Sequence, residues 1–304
     1  GGKASNLGEL FHIKGLQKMV DLPQQAFAIP IYYFQQHIEK SGAAKKLDDL
    51  LKDKNSLEND SLLKLKLKQI QKTIVNFPVD ENFTKKMNEI LFLFSNNELV
   101  FRCRSSTNAE DIEHFNGAGL YNSYSGYLDT SKGRSMEKAI KKVWASCFNY
   151  NAFKERQFFN INENSVGMAV LCHLAFGEEE INGVGLTKNI YREHYSAFTI
   201  NAQKGEVAVV EGNNNVQDEL AIIYEEDIET DATIEYINYS SLNNNKELMT
   251  KEHMKQLFLA MKKVKDYYYY KLSNKKLSYE VYGLDIEFKI KNGKIVFKQA
   301  RTLN

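Results

Sequence analysis

The feature that most constrains this chain is a change of hydrophobic period near its middle. Before about residue 160 the apolar residues recur at three- and four-residue spacing, as in Leu47, Leu50 and Leu51 or Leu62, Leu63 and Leu65, which is the stripe of an amphipathic helix. After 166 they alternate with polar residues in short runs at 166–176, 181–188, 195–203, 206–210, 220–224 and 233–239, the period of strands covered on one face. Two periods in separate halves predict an α+β chain, with a helical lobe over 1–165 and a mostly antiparallel sheet lobe over 166–304. A helix over 250–272 interrupts the second lobe. A hairpin, 284–290 with 294–301 around Asn292-Gly293, closes it. The length, 304 residues, lies near the size at which one core splits in two.

Within the helical half, the spacing predicts a helix over 31–40 stopped by Gly42, and a long one over 135–159 that buries the only tryptophan, Trp144. Between them a strand over 98–106 runs into a loop over 107–120 that holds Gly117 and Gly119. A strand that delivers a polar, glycine-containing loop is a common way to build a site.

Several function classes are excluded or disfavoured. Forty Lys+Arg against 39 Asp+Glu give a net charge of +1, without the basic stripe that a nucleic-acid partner requires. The apolar stretches fall far short of the ~20 residues that cross a bilayer. Cys103, Cys147 and Cys172 are odd in number and widely spaced, so neither a disulfide framework nor a zinc site is readable, and a cytoplasmic setting is expected. The chain opens Gly1-Gly2-Lys3 without a Met or a leader pattern, which reads as a piece of a longer polypeptide.

The chemistry must come from elsewhere than the common nucleotide loops, since neither a P-loop nor a Rossmann glycine pattern is present. Lys3 beside two glycines, Arg102 and Arg104 near the end of a strand, and the backbone from Ser105 through Thr107 and Gly117 to Gly119 are candidate phosphate ligands. The same residues also read as a frayed terminus and as a surface arginine paired with Glu110 or Asp111. The closing hairpin is more informative. It places Asp285 and Glu287 on one strand and Gln299 and Arg301 on the other, hard oxygen ligands suited to Mg²⁺ beside a phosphate clamp. A two-residue turn would set Glu287 opposite Lys298 and throw Gln299 to the other face. A three-residue loop with Gly293 as a bulge would put all four polar residues on one face, and we expect the longer loop, although the apolar pattern of Ile286, Phe288, Ile290, Ile295 and Phe297 is cleaner with the shorter one. None of the six histidines falls in a catalytic or metal-binding spacing.

Several blocks in order resemble the nucleotide-binding, ATP-grasp-like domain of the phosphoenolpyruvate synthase and pyruvate phosphate dikinase family. These are Gly1-Gly2-Lys3-Ala4-Ser5-Asn6-Leu7-Gly8-Glu9-Leu10, Phe27-Ala28-Ile29-Pro30, the run from Arg104 to Asp111 followed by Phe115 to Gly119, and Trp144-Ala145-Ser146. Asn182 to Thr187, Ile200 to Glu206, and Asp285-Ile286-Glu287 with Gln299-Ala300-Arg301 complete the set. The resemblance implies that Lys3, Arg104 and Arg301 act on the phosphates of ATP, and that residues 105–119 cover them. By the same resemblance Gln203, Glu206 and Asp285 join the nucleotide site, Glu287 and Gln299 hold Mg²⁺, and residues 168–174 include the backbone that reads adenine.

The resemblance further implies a phosphotransferase that passes a phosphoryl or pyrophosphoryl group from Mg²⁺-ATP to a histidine on a swivelling partner domain. From there the group goes to pyruvate or another small acceptor on an acceptor-binding domain, and neither domain is contained in these 304 residues. Residues 207–245 are rich in Asn and Glu and depart from the synthase pattern, which leaves the acceptor open. An ATP-sensing module without transfer and a direct kinase of an antibiotic or glucan hydroxyl are the rival readings.

Overall fold

A computed structural model of the chain describes residues 1–94, 99–109, 111–112, 115–117, 119–128, 133–177, 179–192, 194–205, 216–226 and 228–303. They form two compact units, one of Gly1–Ser5 with Gln24–Ala175 and the other of Asn6–Pro23 with Phe176–Leu303. Helix α1 (Gly2–His12) carries the chain from the first into the second.

In the first unit, β1 (Phe27–Ile29) leads into α2 (Ile31–Lys40), α3 (Ala43–Lys52), α4 (Lys54–Glu58), α5 (Asp60–Asn76) and α6 (Glu81–Phe92). Side-chain caps begin several of these helices: Asn59 accepts from Ser61 and Leu62 N–H, and Asp80 from Asn82 N–H. Then come β2 (Val100–Thr107), the short pair β3 (Asp111–Ile112) and β4 (Phe115–Asn116), β5 (Tyr124–Tyr127), α7 (Met136–Ala145), α8 (Tyr150–Phe158) and β6 (Met168–Leu174). Trp144 is fully buried in this unit's core, with its ring centroid 5.0 Å from that of His37 and 5.6 Å from that of Phe83.

Three expectations for this half change. The helix expected over 135–159 is broken, because Ser146 Oγ bonds back to Val143 C=O and Asn149 takes an extended backbone. The side chain of Asn149 is engaged outside the helix, its Nδ2 donating to Leu120 C=O and Asn122 Oδ1. The strand expected to end at Ser106 continues through Thr107, and part of the following loop is the β3–β4 pair. The run at 166–176, read as opening the sheet lobe, becomes β6 and belongs to the first unit, in a sheet ordered β1-β6-β2-β5.

The second unit holds a six-stranded sheet ordered β10-β9-β8-β7-β11-β12, antiparallel throughout. Its strands are β7 (Ile181–Leu186), β8 (Ala197–Lys204), β9 (Glu219–Tyr224), β10 (Ile234–Asn238), β11 (Leu284–Lys291) and β12 (Lys294–Thr302). The run at 206–210 lies outside the described residues. The long helix α9 (Lys251–Tyr267), followed by a π-helical turn over Tyr268–Leu272, packs on one face, with Phe258 stacked on Phe198 at 4.3 Å. Segment 6–23 belongs to this unit, where Asp21 bonds the outer edge of β12 through its N–H to Ile295 C=O and through its C=O from Phe297 N–H.

Glycine lets α9 approach closely. A Cβ on Gly185 would stand 2.5 Å from Met261 Cε and Sδ, and one on Gly183 2.4 Å from Phe288 Cζ. Gly185→Val is expected to lower stability by about 1–3 kcal/mol through overpacking. In urea denaturation, the double variant with Met261→Ala should lose less than the sum of the two single losses.

Candidate functional site

In the first unit the strand alternation sorts β2 into two faces. Phe101 and Cys103 lie in the core cluster, and Ser105 and Thr107 continue that face at 2% and 1% exposure. Thr107 Oγ1 accepts from Ala109 N–H, so its side chain shapes the turn that leaves the strand. Arg104 lies on the opposite face with Arg102 and Ser106, opposite Leu171 of β6. At 8% exposure it is a buried arginine, so the reading of a surface arginine does not hold. Lys3 is in the first turn of α1 rather than in a frayed end. Ala4 N–H donates to Ser106 Oγ at 3.0 Å, which fastens this turn to β2 two residues from Arg104, on its face. Gly117 is buried, and Gly119 takes a positive φ of 77° that favours glycine. Glu110, like Glu206, lies outside the described residues.

The backbone of Val170–Cys172 in β6 is paired with β1 on one side and β2 on the other. The sheet thus engages this stretch of the 168–174 backbone from both sides.

In the second unit the hairpin turn has two residues. Lys291 pairs with Lys294, and Asn292 and Gly293 both have positive φ, 51° and 67°, the demand that an Asn-Gly type I′ turn meets. The three-residue loop expected from the sequence is therefore absent. The shared face arises by another route, a bulge at Lys298. Phe288 still pairs with Phe297, but the register then shifts, so that Glu287 faces Gln299 and Asp285 faces Arg301. Ile286, Phe288 and Ile290 stay on the apolar face, and Asp285, Glu287, Gln299 and Arg301 share the other one. The register of β7 and β8 adds Thr199, Asn201 and Gln203 to that polar face.

Electrostatics fix these side chains. Asp285 Oδ2 accepts from Arg301 Nε at 2.7 Å and lies 2.6 Å from Nη2, which orients the guanidinium. Glu287 lies 3.4 Å from Lys298 Nζ, and Gln299 is 1% exposed. The amide of Gln203 is fully engaged. It donates to Gln217 C=O and Asp218 Oδ1 and accepts from Lys204 N–H and Ser240 Oγ. Asn201 Oδ1 is buried without a hydrogen-bond partner among the described residues, an acceptor available to a ligand.

No group of three or more His, Cys, Asp or Glu side chains gathers for a metal among the described residues. One carboxylate and one amide oxygen suit Mg²⁺ nonetheless, because this ion is commonly held by one or two protein oxygens and completed by phosphate and water. Lys298 and its bulge were not legible in the sequence as site features. Only the mismatch between apolar phase and polar spacing hinted at them.

The whole chain, residues 1–304, matches the family described as pyruvate phosphate dikinase, AMP/ATP-binding domain. The chain belongs to this family. It is 28% identical over 206 residues to the rifampicin phosphotransferase of Bacillus cereus, covering 67% of this chain and 22% of that protein. To the rifampicin phosphotransferase of Bacillus subtilis it is 28% identical over 176 residues, 56% of this chain and 19% of that protein. A probable phosphoenolpyruvate synthase of Archaeoglobus fulgidus is 25% identical over 191 residues, 62% of this chain and 24% of that protein. The matches thus span about a fifth to a quarter of these relatives. Among the described residues, no helix of this dikinase-family domain is long and apolar enough to cross a membrane.

One buried carboxyl in the second unit gives the domain a pH dependence. Glu219 is 1% exposed, and burial pushes its pKa up to about 7, against the opposing bond from Leu248 N–H to its Oε2. Between the ordinary glutamate value and about 7 the folded chain binds a proton that the unfolded chain has released, so stability falls as pH rises through this window. Glu219→Gln should therefore stabilise the domain by on the order of 2–3 kcal/mol at pH 8 and have little effect at pH 4, read by urea denaturation at both pH values.

Proposed function

We propose that the chain is the ATP-binding part of a phosphotransferase that moves a phosphoryl or pyrophosphoryl group from Mg²⁺-ATP to a histidine of a partner domain, and from there to a small acceptor. Support comes from family membership and from the hairpin geometry. The observation that carries the reading is the bulge that turns Glu287, Gln299, Asp285 and Arg301 to one face.

In this reading Lys3 and Arg104 bind phosphate oxygens, the buried guanidinium of Arg104 contributing charge-assisted hydrogen bonds in a site with little competing water. Residues 105–119 contribute backbone N–H groups rather than the side chains of Ser105 and Thr107. Glu287 and Gln299 hold Mg²⁺, which when bound draws off charge from the phosphates. Arg301, oriented by Asp285, holds the group in transfer through its planar fork of donors. Gln203 keeps the ends of β8 and β9 together beside these residues, and Glu206 belongs to the same nucleotide site. Positioning and electrostatic stabilisation are the catalysis that phosphoryl transfer chiefly requires, so no histidine of this chain is needed. The swivelling phosphohistidine domain and the acceptor-binding domain belong to the rest of the polypeptide, which is cytoplasmic. Pyruvate or a related acid is the first reading of the acceptor. Two relatives are rifampicin phosphotransferases, which makes an antibiotic hydroxyl the second.

Thermal melting with and without Mg²⁺-ATP tests the reading directly. A ligand at about 100 times its dissociation constant adds ~2.7 kcal/mol, so a clear Mg²⁺-dependent rise in Tm is expected, and an unchanged Tm at millimolar ATP would count against it. Glu287→Gln should abolish the Mg²⁺-dependent part of the rise while leaving the ligand-free Tm nearly unchanged, because it removes a ligand charge without opening a cavity. Arg104→Ala should weaken ATP binding by about 2 kcal/mol in titration calorimetry.

A further inference from the structure

We propose that Arg156, together with Glu163 and Tyr121, is a positioning device that fixes the two ends of segment 109–121. The consequence for ATP rests on the reading of residues 105–119, most of which lie in this segment, as the phosphate-covering ones. Arg156 lies in α8, is fully buried at 0% exposure, and is given no part in the proposed transfer. Its Nε and Nη2 form a fork on Glu163, at 2.9 Å to Oε1 and 2.7 Å to Oε2. Nη2 also donates to Cys147 C=O at 2.9 Å, and Nη1 donates to the Tyr121 hydroxyl at 3.1 Å. That hydroxyl in turn donates to Ala109 C=O at 3.4 Å.

One guanidinium thus reaches both ends of the segment, Tyr121 directly and Ala109 through the phenol. Burial pushes the Tyr121 pKa up to about 12, so the hydroxyl keeps its proton for Ala109. Two further clamps act at the same ends. Asn108 donates to Ser165 C=O and accepts from Gly167 N–H, while Asn149 Nδ2 holds Leu120 C=O and Asn122 Oδ1. Asn108 is therefore bound to a stretch only two residues beyond Glu163.

Stability alone does not account for the arrangement. A buried ion pair loses in desolvation about what it gains in attraction, and apolar residues of equal volume commonly stabilise a core as well. What an apolar core cannot do is hold a hydroxyl and two backbone carbonyls at fixed points. A planar fork with donors in several directions does this, and a segment so fixed has its ordering cost met before any ligand binds.

Tyr121→Phe removes only the bridging hydroxyl and tests the device, with Arg156→Lys measured alongside because it keeps the charge beside Glu163 and loses the fork. The expected result is a cooperative melt within a few degrees of the parent and amide hydrogen exchange about tenfold faster across the described part of 109–121, with exchange in β2 and β6 unchanged. ATP affinity should fall about tenfold while adenosine affinity stays the same, since only phosphate contacts depend on the segment. Unchanged exchange across 109–121 in both variants would overturn the proposal, as would equal losses for ATP and adenosine. Faster exchange in a chain whose parent form does not bind ATP would uphold the anchoring and overturn instead the nucleotide reading on which its consequence rests.

Discussion

The bulge at Lys298 sets the chemistry of the closing hairpin, and much of the second unit is arranged around the register it resolves. The Asn292-Gly293 turn and the apolar pairs Ile290 with Ile295 and Phe288 with Phe297 demand one phase of the strand. Continued without interruption, that phase would carry Gln299 and Arg301 to the apolar face, where an unpartnered amide or charge is costly. One extra residue in β12 changes the phase after Phe297, so the apolar pairs and the polar pairs are both satisfied. Neighbouring strands conform to the result. Gly183 and Gly185 of β7 stand bare under Phe288 and Met261, so α9 packs tightly on one face and leaves Asp285, Glu287, Gln299 and Arg301 to the other.

The first unit solves a different problem, holding an arginine with little access to water at a defined point. The alternation of β2 puts Phe101 and Cys103 into the core and Arg104 on the opposite face. The same strand receives the first turn of α1, which holds Lys3, through the bond from Ala4 N–H to Ser106 on the face of Arg104. Both residues are placed by strand and helix geometry rather than by a flexible loop, which is what the phosphate contacts proposed for them would require. The chain belongs to the dikinase AMP/ATP-binding family, and the roles proposed for Lys3 and Arg104 rest on that membership.

Sequence legibility varied with the range of the interaction involved. The helix over Ile31–Lys40, the alternation of β7 to β11 and the place of the hairpin at Asn292-Gly293 all depend on neighbours within a few residues, and period and turn chemistry expose them, whereas the length of that turn was misread because the bulge at Lys298 lies outside it. The break in the helix expected over 135–159 did not show, because it depends on Asn149 reaching Leu120 and Asn122. The assignment of β6 did not show either. Its apolar run suits a strand in either unit, and only its pairing with β1 and β2 decides between them.

By itself the sequence determined the α+β character of the chain, the absence of common nucleotide loops, and the residue types of the candidate site, including the Asp-x-Glu and Gln-x-Arg pairs. It did so because composition and local period are properties of the chain as written. Tertiary structure decided that Arg104 is buried, that the amide of Gln203 is engaged by its own chain, and that Glu287 meets Gln299 across a bulge. It also decided that Arg156 reaches both ends of segment 109–121. These are contacts between residues far apart in sequence, whose free energy depends on burial and register that local patterns do not contain.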